Sequence, residues 1–277
     1  MNITASQVNE LRQMTGAGMM DCKNALKEAE GDFEKAVQII REKGKLVAAK
    51  RADRETTEGA VLVRMAPGKA VLVCLGCETD FVSATPDFKA LADEIADAAI
   101  AAFPADLEAL KAVKCSNGHT VEEEISAQTG KTGEKHVLAC YETLEAPYIG
   151  QYVHFNSKVG SIVAFNKEVP EEVGKNVAQQ VTAMNPVSVG EADCPKEVVE
   201  REVAMYKQQM AEDPKMAGKP EAMLENIAKG KLKKFFKEQT LEDQDFVWDN
   251  KISVAQYIQA ADKDAKVLAF KRFSLSD

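Results

Sequence analysis

Hydrophobic residues near the start of the chain recur at three- and four-residue spacing, which predicts three short helices over residues 1–45. Thr4 is placed to cap the first, Gln7 to reach back to it, and Ile3 with Val8 to staple the entry. Val8, Leu11 and Met14 form its apolar face. After the turn "TGAG" at 15–18, Met19, Cys22, Ala25, Leu26 and Ala29 mark a second helix, which Gly31 stops. Asp32 then opens a third, with Phe33, Ala36, Val37 and Ile40 on one side. So small a unit has a thin core, which suits a docking module better than an enzyme.

The pattern then changes. "GKLVAAKRADRETTEG", 44–59, is polar and bounded by glycines, and reads as a linker over 46–58. "AVLVRMAPGKAVLVCLGC" carries two β-branched runs around a turn, the mark of a hairpin. A helix capped by Asp87 follows, with Phe88, Leu91, Ile95, Ala98 and Ala99 in one stripe that ends before Pro104. Residues 105–135 hold short helical pieces and the turns "SNGH" and "TGKTGE". The order then repeats: "GQYVHFNSKVGSIVAF" from Gly150 is a second hairpin, and Val173, Val177 and Val181 mark a second helix over 171–184. Residues 196–237 read as an antiparallel helical hairpin bent at "AEDPKMAGKP". Val199, Val203, Tyr206 and Met210 would face Met223, Leu224, Ile227 and Leu232. A short helix from Ser253 and a strand "KVLAFKRFSL" that returns to the second sheet close the chain. The expected architecture is α+β: a helical unit at 1–45, one subdomain at 59–140 and a related one at 141–277 containing the hairpin.

Bulk composition narrows the function classes. The 277 residues are 45% hydrophobic and 29% charged, which is a globular balance. A net charge of −9 disfavours nucleic acid and anionic membranes as partners. No apolar run is long enough for a membrane span, and "MNITASQVNE" lacks the basic and apolar regions of an export signal, so the expected location is the cytoplasm.

Candidate chemistry is sparse. Cys22, Cys74, Cys77, Cys115, Cys140 and Cys194 are scattered, as reduced small hydrophobes would be. The "CLGC" pair at 74–77 lacks the further ligands that zinc requires and lies in a β-run rather than at a helix start. His119, His136 and His154 have no neighbour at metal or nucleophile spacing. "TGAG" and "TGKTGE" lack the spacing of a phosphate loop. The lysines of "KGKLKKFFKE", 229–238, read as a solvated helix face over packed phenylalanines rather than a strand-binding groove. Neither enzymatic activity nor a cofactor of its own is expected.

"CETDFV", 77–82, stands apart. Glu78, Thr79, Asp80, Phe81 and Val82 fall in a turn at the end of the first hairpin. There Phe81 either covers the local core or projects as an interface wedge, worth about 1.5–3 kcal/mol once buried. Periodicity does not choose between the two.

"LRQMTGAGMMDCKNALKEAEGDFEKAV" at 11–37 and "CETDFV" at 77–82, in this order and joined by a linker, resemble the two signatures of the translation elongation factor Ts family, the guanine-nucleotide exchange factors for elongation factor Tu. The resemblance covers nearly the whole chain. It implies a ubiquitin-associated-like three-helix domain that docks on the partner's nucleotide-binding domain, a core of two related α+β subdomains, and a protruding helical hairpin that supports a homodimer in some members. It implies that Asp80 and Phe81 carry the exchange step, within a loop completed by Glu78, Thr79 and Val82. Magnesium and GDP or GTP would belong to elongation factor Tu. Arg12, Met19 and Met20 correspond to the first docking surface, Met19 also falling on the apolar face of its helix. His154 lies near the family's "H-x-G-[RK]" region, but "HFNSKVG" lacks that glycine, so a local structural role stands beside partner contact. Longer members continue past "VLAFKRF" into a further helical module, so the resemblance implies fewer contacts on that side. The alternative is a non-catalytic adaptor or chaperone-like module that holds the same partner without emptying it.

Overall fold

A computed structural model of the chain describes residues 3–214 and 219–276. Its first helices are α1 (Ala5–Thr15), α2 (Met19–Glu28) and α3 (Phe33–Lys50). The expected capping box is formed: Gln7 N donates to Thr4 Oγ1 at 3.3 Å, and Thr4 N donates to Gln7 Oε1 at 3.0 Å. Val8, Leu11, Cys22, Ala25, Leu26, Ala29 and Ala36 are buried together, with Phe33, Val37 and Ile40 packed against them. Met14 and Met19, expected to face inward, are each 62% exposed. The small core is filled before their turns of helix reach it.

Helix α3 overruns its predicted stop. Gly44, taken as the start of a linker, is buried inside the helix, which continues to Lys50. The reason is tertiary. Gly44 packs against α7 (Val121–Thr132), where a Cβ would stand 2.9 Å from the Ser126 carbonyl oxygen. Here glycine serves close approach rather than termination. The non-helical connection is correspondingly shorter than 46–58.

Strands β1 (Glu58–Ala66) and β2 (Lys69–Cys77) pair antiparallel in unbroken register, from Ala66 opposite Lys69 to Glu58 opposite Cys77. Gly68, at φ 72°, permits the two-residue turn between them. The one-turn helix α4 (Asp80–Ser83) precedes α5 (Pro86–Ala102). Thr85, not the expected Asp87, caps α5, with Oγ1 accepting from Phe88 N at 3.3 Å and Pro86 in the first turn. Proline at that position starts the helix two residues earlier than an Asp87 cap would. Helix α6 (Leu107–Lys111) and α7 occupy the stretch of short helical pieces, and β3 (His136–Glu145) pairs with β2, giving the order β1-β2-β3. Phe88, Leu91, Ile95, Leu110, Val121 and Leu138 fill the core between sheet and helices.

The second half repeats this plan: β4 (Tyr148–Val153), β5 (Val159–Phe165), then α8 (Glu171–Met184). Helices α9 (Lys196–Glu212) and α10 (Glu221–Gln239) follow, then the short strands β6 (Asp245–Phe246) and β7 (Asp249–Ser253), α11 (Val254–Ala261) and β8 (Val267–Ser274). The last strand pairs with β5 in the order β4-β5-β8, as its pattern predicted. In both sheets the third strand therefore joins the second strand of a hairpin. Helices α9 and α10 pack on each other, with Met210 buried and Lys231 Nζ 5.2 Å from the Tyr206 ring centre. Met223, expected at their contact, is exposed. The bend predicted at "AEDPKMAGKP" includes residues 215–218, which lie outside the described residues. Val163, Phe165, Val177, Val181, Leu241 and Ile258 form the second core.

The chain forms two compact units, one of residues 1–143, 153–160 and 273–277, the other of 144–152 and 161–272. No helix among the described residues is long and apolar enough to cross a membrane.

Candidate functional site

The stretch after β2 holds its backbone in place and leaves the side chains of Asp80 and Phe81 exposed. Cys77 ends the strand fully buried, and its Sγ donates to the Thr79 carbonyl at 3.3 Å. Glu78 turns inward. Its carboxylate accepts from Lys135 N at 2.6 Å and from Arg51 Nη1 at 2.8 and 3.0 Å. These bonds, the Lys135 amide first and then the Arg51 guanidinium, hold the Glu78 carboxyl below its ordinary value. Thr79 N and Oγ1 both donate to the Glu134 carboxylate, at 3.2 Å and at 2.8 and 3.0 Å.

From this base the chain makes one helical turn. Ser83 N donates to the Thr79 carbonyl at 3.2 Å, and Ala84 N to that of Asp80 at 3.0 Å. Val82 is the residue that packs on the first core. Phe81 is 83% exposed and Asp80 is exposed beside it. Of the two readings open for Phe81, covering the local core is the one the fold rejects, because Val82 takes that place.

Three partners of the loop went unnoticed in the sequence: Arg51, Glu134 and Lys135. Lys135 also reaches back, its Nζ donating to the carbonyls of Ala52 at 2.6 Å and Arg54 at 2.9 Å. The end of α3, the 78–83 loop and the start of β3 thus share one hydrogen-bond network. Only charge and a glycine turn marked these residues in the sequence, and neither is distinctive.

The other candidate residues sit on separate elements. Arg12 is exposed in the last turn of α1, while Met19 and Met20, 62% and 64% exposed, open α2. His154 begins the turn between β4 and β5. Its N donates to the Val159 carbonyl at 2.9 Å, its carbonyl accepts from Ser157 N at 2.8 Å, and its ring lies 4.4 Å from that of the exposed Phe155. The turn is therefore closed locally without the glycine of the family pattern.

The cysteine pair has the opposite of a reactive setting. Cys74 and Cys77 are buried, and burial, reinforced by the Glu134 charge, pushes the Cys77 thiol up to about 12. Both thiols keep their protons near neutrality. Among the described residues no cluster of three or more His, Cys, Asp or Glu side chains is arranged to hold a metal ion.

Comparison with known proteins agrees with the two signatures. A family model described as "Elongation factor TS" matches residues 78–277. An elongation factor Ts from Cytophaga hutchinsonii is 46% identical, with 99% of each chain covered. One from Amoebophilus asiaticus is 45% identical over 98% of each chain. Another, from Christiangramia forsetii, is 44% identical over 99% of this chain and 98% of its own.

Proposed function

The chain belongs to the elongation factor Ts family, and from that membership we propose that it is a guanine-nucleotide exchange factor for elongation factor Tu in translation elongation. One observation carries the mechanism: Phe81, 83% exposed, stands on a turn whose preceding residues, Glu78 and Thr79, are tied into the fold. An aromatic ring carried on backbone already fixed in the fold leaves less of the chain to be ordered when it docks.

In this reading Phe81, with Asp80 beside it, enters between side chains of the partner's nucleotide-binding domain and disturbs its magnesium and phosphate region. The nucleotide and the ion both belong to the partner. This chain makes and breaks no covalent bond. Its work is differential binding: it holds nucleotide-free partner more tightly than GDP-bound partner, and reciprocity then requires that it weaken GDP. Each tenfold weakening takes about 1.4 kcal/mol, within reach of one buried phenyl ring. Arg12, Met19 and Met20 supply the first docking surface, and His154 is a contact away from the nucleotide. Two copies pairing through α9 and α10 would account for a homodimer.

The test is the release of fluorescent GDP from purified elongation factor Tu. This protein should accelerate release, and Phe81→Ala should lose at least about tenfold of that acceleration with its circular dichroism and melting unchanged. An adaptor would bind without accelerating release. A Phe81→Ala variant as active as the parent would remove the role given to the ring.

A further inference from the structure

We propose that Glu134 is a positioning residue for the exchange step, setting where Phe81 points although it lies far along the chain from it. The inference rests on the exchange reading above and assigns a part of its machinery that neither signature contains.

A turn of four residues does not hold its own shape. Few backbone bonds close it, and short isolated helices are unstable in water. Phe81 adds no packing, because it is exposed. A threonine before a helix ordinarily caps it, its oxygen accepting an amide of the first turn. Thr79 has the extended backbone of a cap residue, φ −127° and ψ 154°, yet makes no such bond. Its side chain and its own amide both turn to Glu134, so a single carboxylate takes both donors of the residue that launches the turn.

Glu134 is itself fixed. Its N donates to Thr132 Oγ1 at 3.1 Å, its carbonyl lies 3.0 Å from His136 Nδ1, and it follows Gly133, whose φ of 74° ends α7. The carboxylate therefore extends from a rigid junction between α7 and β3 to the base of the loop. Without it, the Thr79 amide and hydroxyl lose their partner, and the base of the turn is left to Glu78, to the Cys77 Sγ bond with the Thr79 carbonyl and to Val82 on the core. The ring would then sample several directions, and a reacting geometry displaced by about 1 Å can cost up to about a hundredfold in rate.

The experiment measures fluorescent GDP release from elongation factor Tu across a range of factor concentrations, separating the maximal rate from the half-saturating concentration. Glu134→Ala should lower the maximal rate by about tenfold, with a smaller change in half-saturation. Glu134→Gln keeps acceptor oxygen at that position and should recover most of the loss. In a Phe81→Ala background, Glu134→Ala should cost nothing further, because there is no ring left to aim. If Glu134→Ala prevents folding, Thr79→Val, which removes only the hydroxyl donor, takes its place with a several-fold loss expected. A full maximal rate in Glu134→Ala alongside a slow Phe81→Ala overturns the positioning role and leaves the exchange reading intact. Losses that multiply in the double variant overturn it too. A Phe81→Ala variant with parental activity instead defeats the exchange reading itself.

Discussion

Gly44 of α3 and Gly130 of α7 meet backbone to backbone: a Cβ on Gly130 would lie 2.8 Å from the Gly44 Cα, closer than side-chain carbons approach. Two helices cross at this point with no side chain between them, so the third helix of the N-terminal unit is packed onto α7 well past the position where its own pattern seemed to end.

Gly130→Ala should therefore destabilise the protein by about 1–3 kcal/mol, because backbone has to move to admit one methyl group. Chemical denaturation monitored by circular dichroism measures it. Gly118→Ala is the comparison, since its Cβ would meet nothing within 4 Å and only its φ of 85° opposes the change.

In the second unit, Gln180 of α8 is fully buried and wholly occupied: Nε2 donates to Gln244 Oε1 at 3.0 Å and to the Asp245 carbonyl at 3.2 Å, and Oε1 accepts from Val247 N at 2.9 Å. Gln180→Leu keeps the volume and strands those partners. A loss of about 2–4 kcal/mol is expected, together with faster hydrogen exchange at the Val247 amide.

His136 gives the fold an acid-sensitive point. It is buried 5.8 Å from the Phe88 ring, its Nε2 has no hydrogen-bond partner, and burial holds its pKa below the ordinary 6.5. The unfolded chain therefore binds a proton more readily than the folded one. Stability from this group is complete above pH 6.5 and falls as the pH drops from there towards the lowered folded value. Denaturation midpoints between pH 7.5 and about 5 should decline more steeply for the parent than for His136→Leu.

Glu78 acts at lower pH and by the opposite cause. Its lowered pKa comes from partners of the charged form, so its contribution is full above the ordinary 4.5 and fades as the pH falls through the lowered value. Arg51→Gln removes one of those partners and leaves the Lys135 amide, so the acid limb below pH 4.5 should become shallower without becoming flat. Proton binding measured by titration of native and denatured protein checks the sign.

Cys74 and Cys77 should resist iodoacetamide in the native state at pH 8, because both thiols are buried and protonated, and react once denaturant is added. Mass spectrometry of the alkylated peptides reads the outcome. Rapid native modification of Cys77 would contradict its burial.

Much of the architecture was legible because its causes are local. Thr4 with Gln7 announced a capping box, the runs around Pro67-Gly68 announced a hairpin, and the repeat of strand, strand and helix from Gly150 announced a second, similar layer. The two signatures were legible for the same reason, as contiguous strings that led to a family. Local pattern misjudged residues whose state depends on distant neighbours. Met14 and Met19 carry helical spacing but lie beyond the edge of a core already filled, and Gly44 looks like a stop only to a reader who cannot see Gly130.

The sequence by itself determined the order of elements and singled out 77–82 as the stretch proposed to carry the exchange step. Tertiary structure alone decided that Phe81 faces solvent while Val82 faces the core, and that Glu78 and Thr79 are held by Arg51, Lys135 and Glu134. The physical reason is distance along the chain. Spacing and propensity encode contacts between near neighbours, whereas the grip on Thr79 comes from a carboxylate fifty-five residues away, brought there by the folding of α7 and β3.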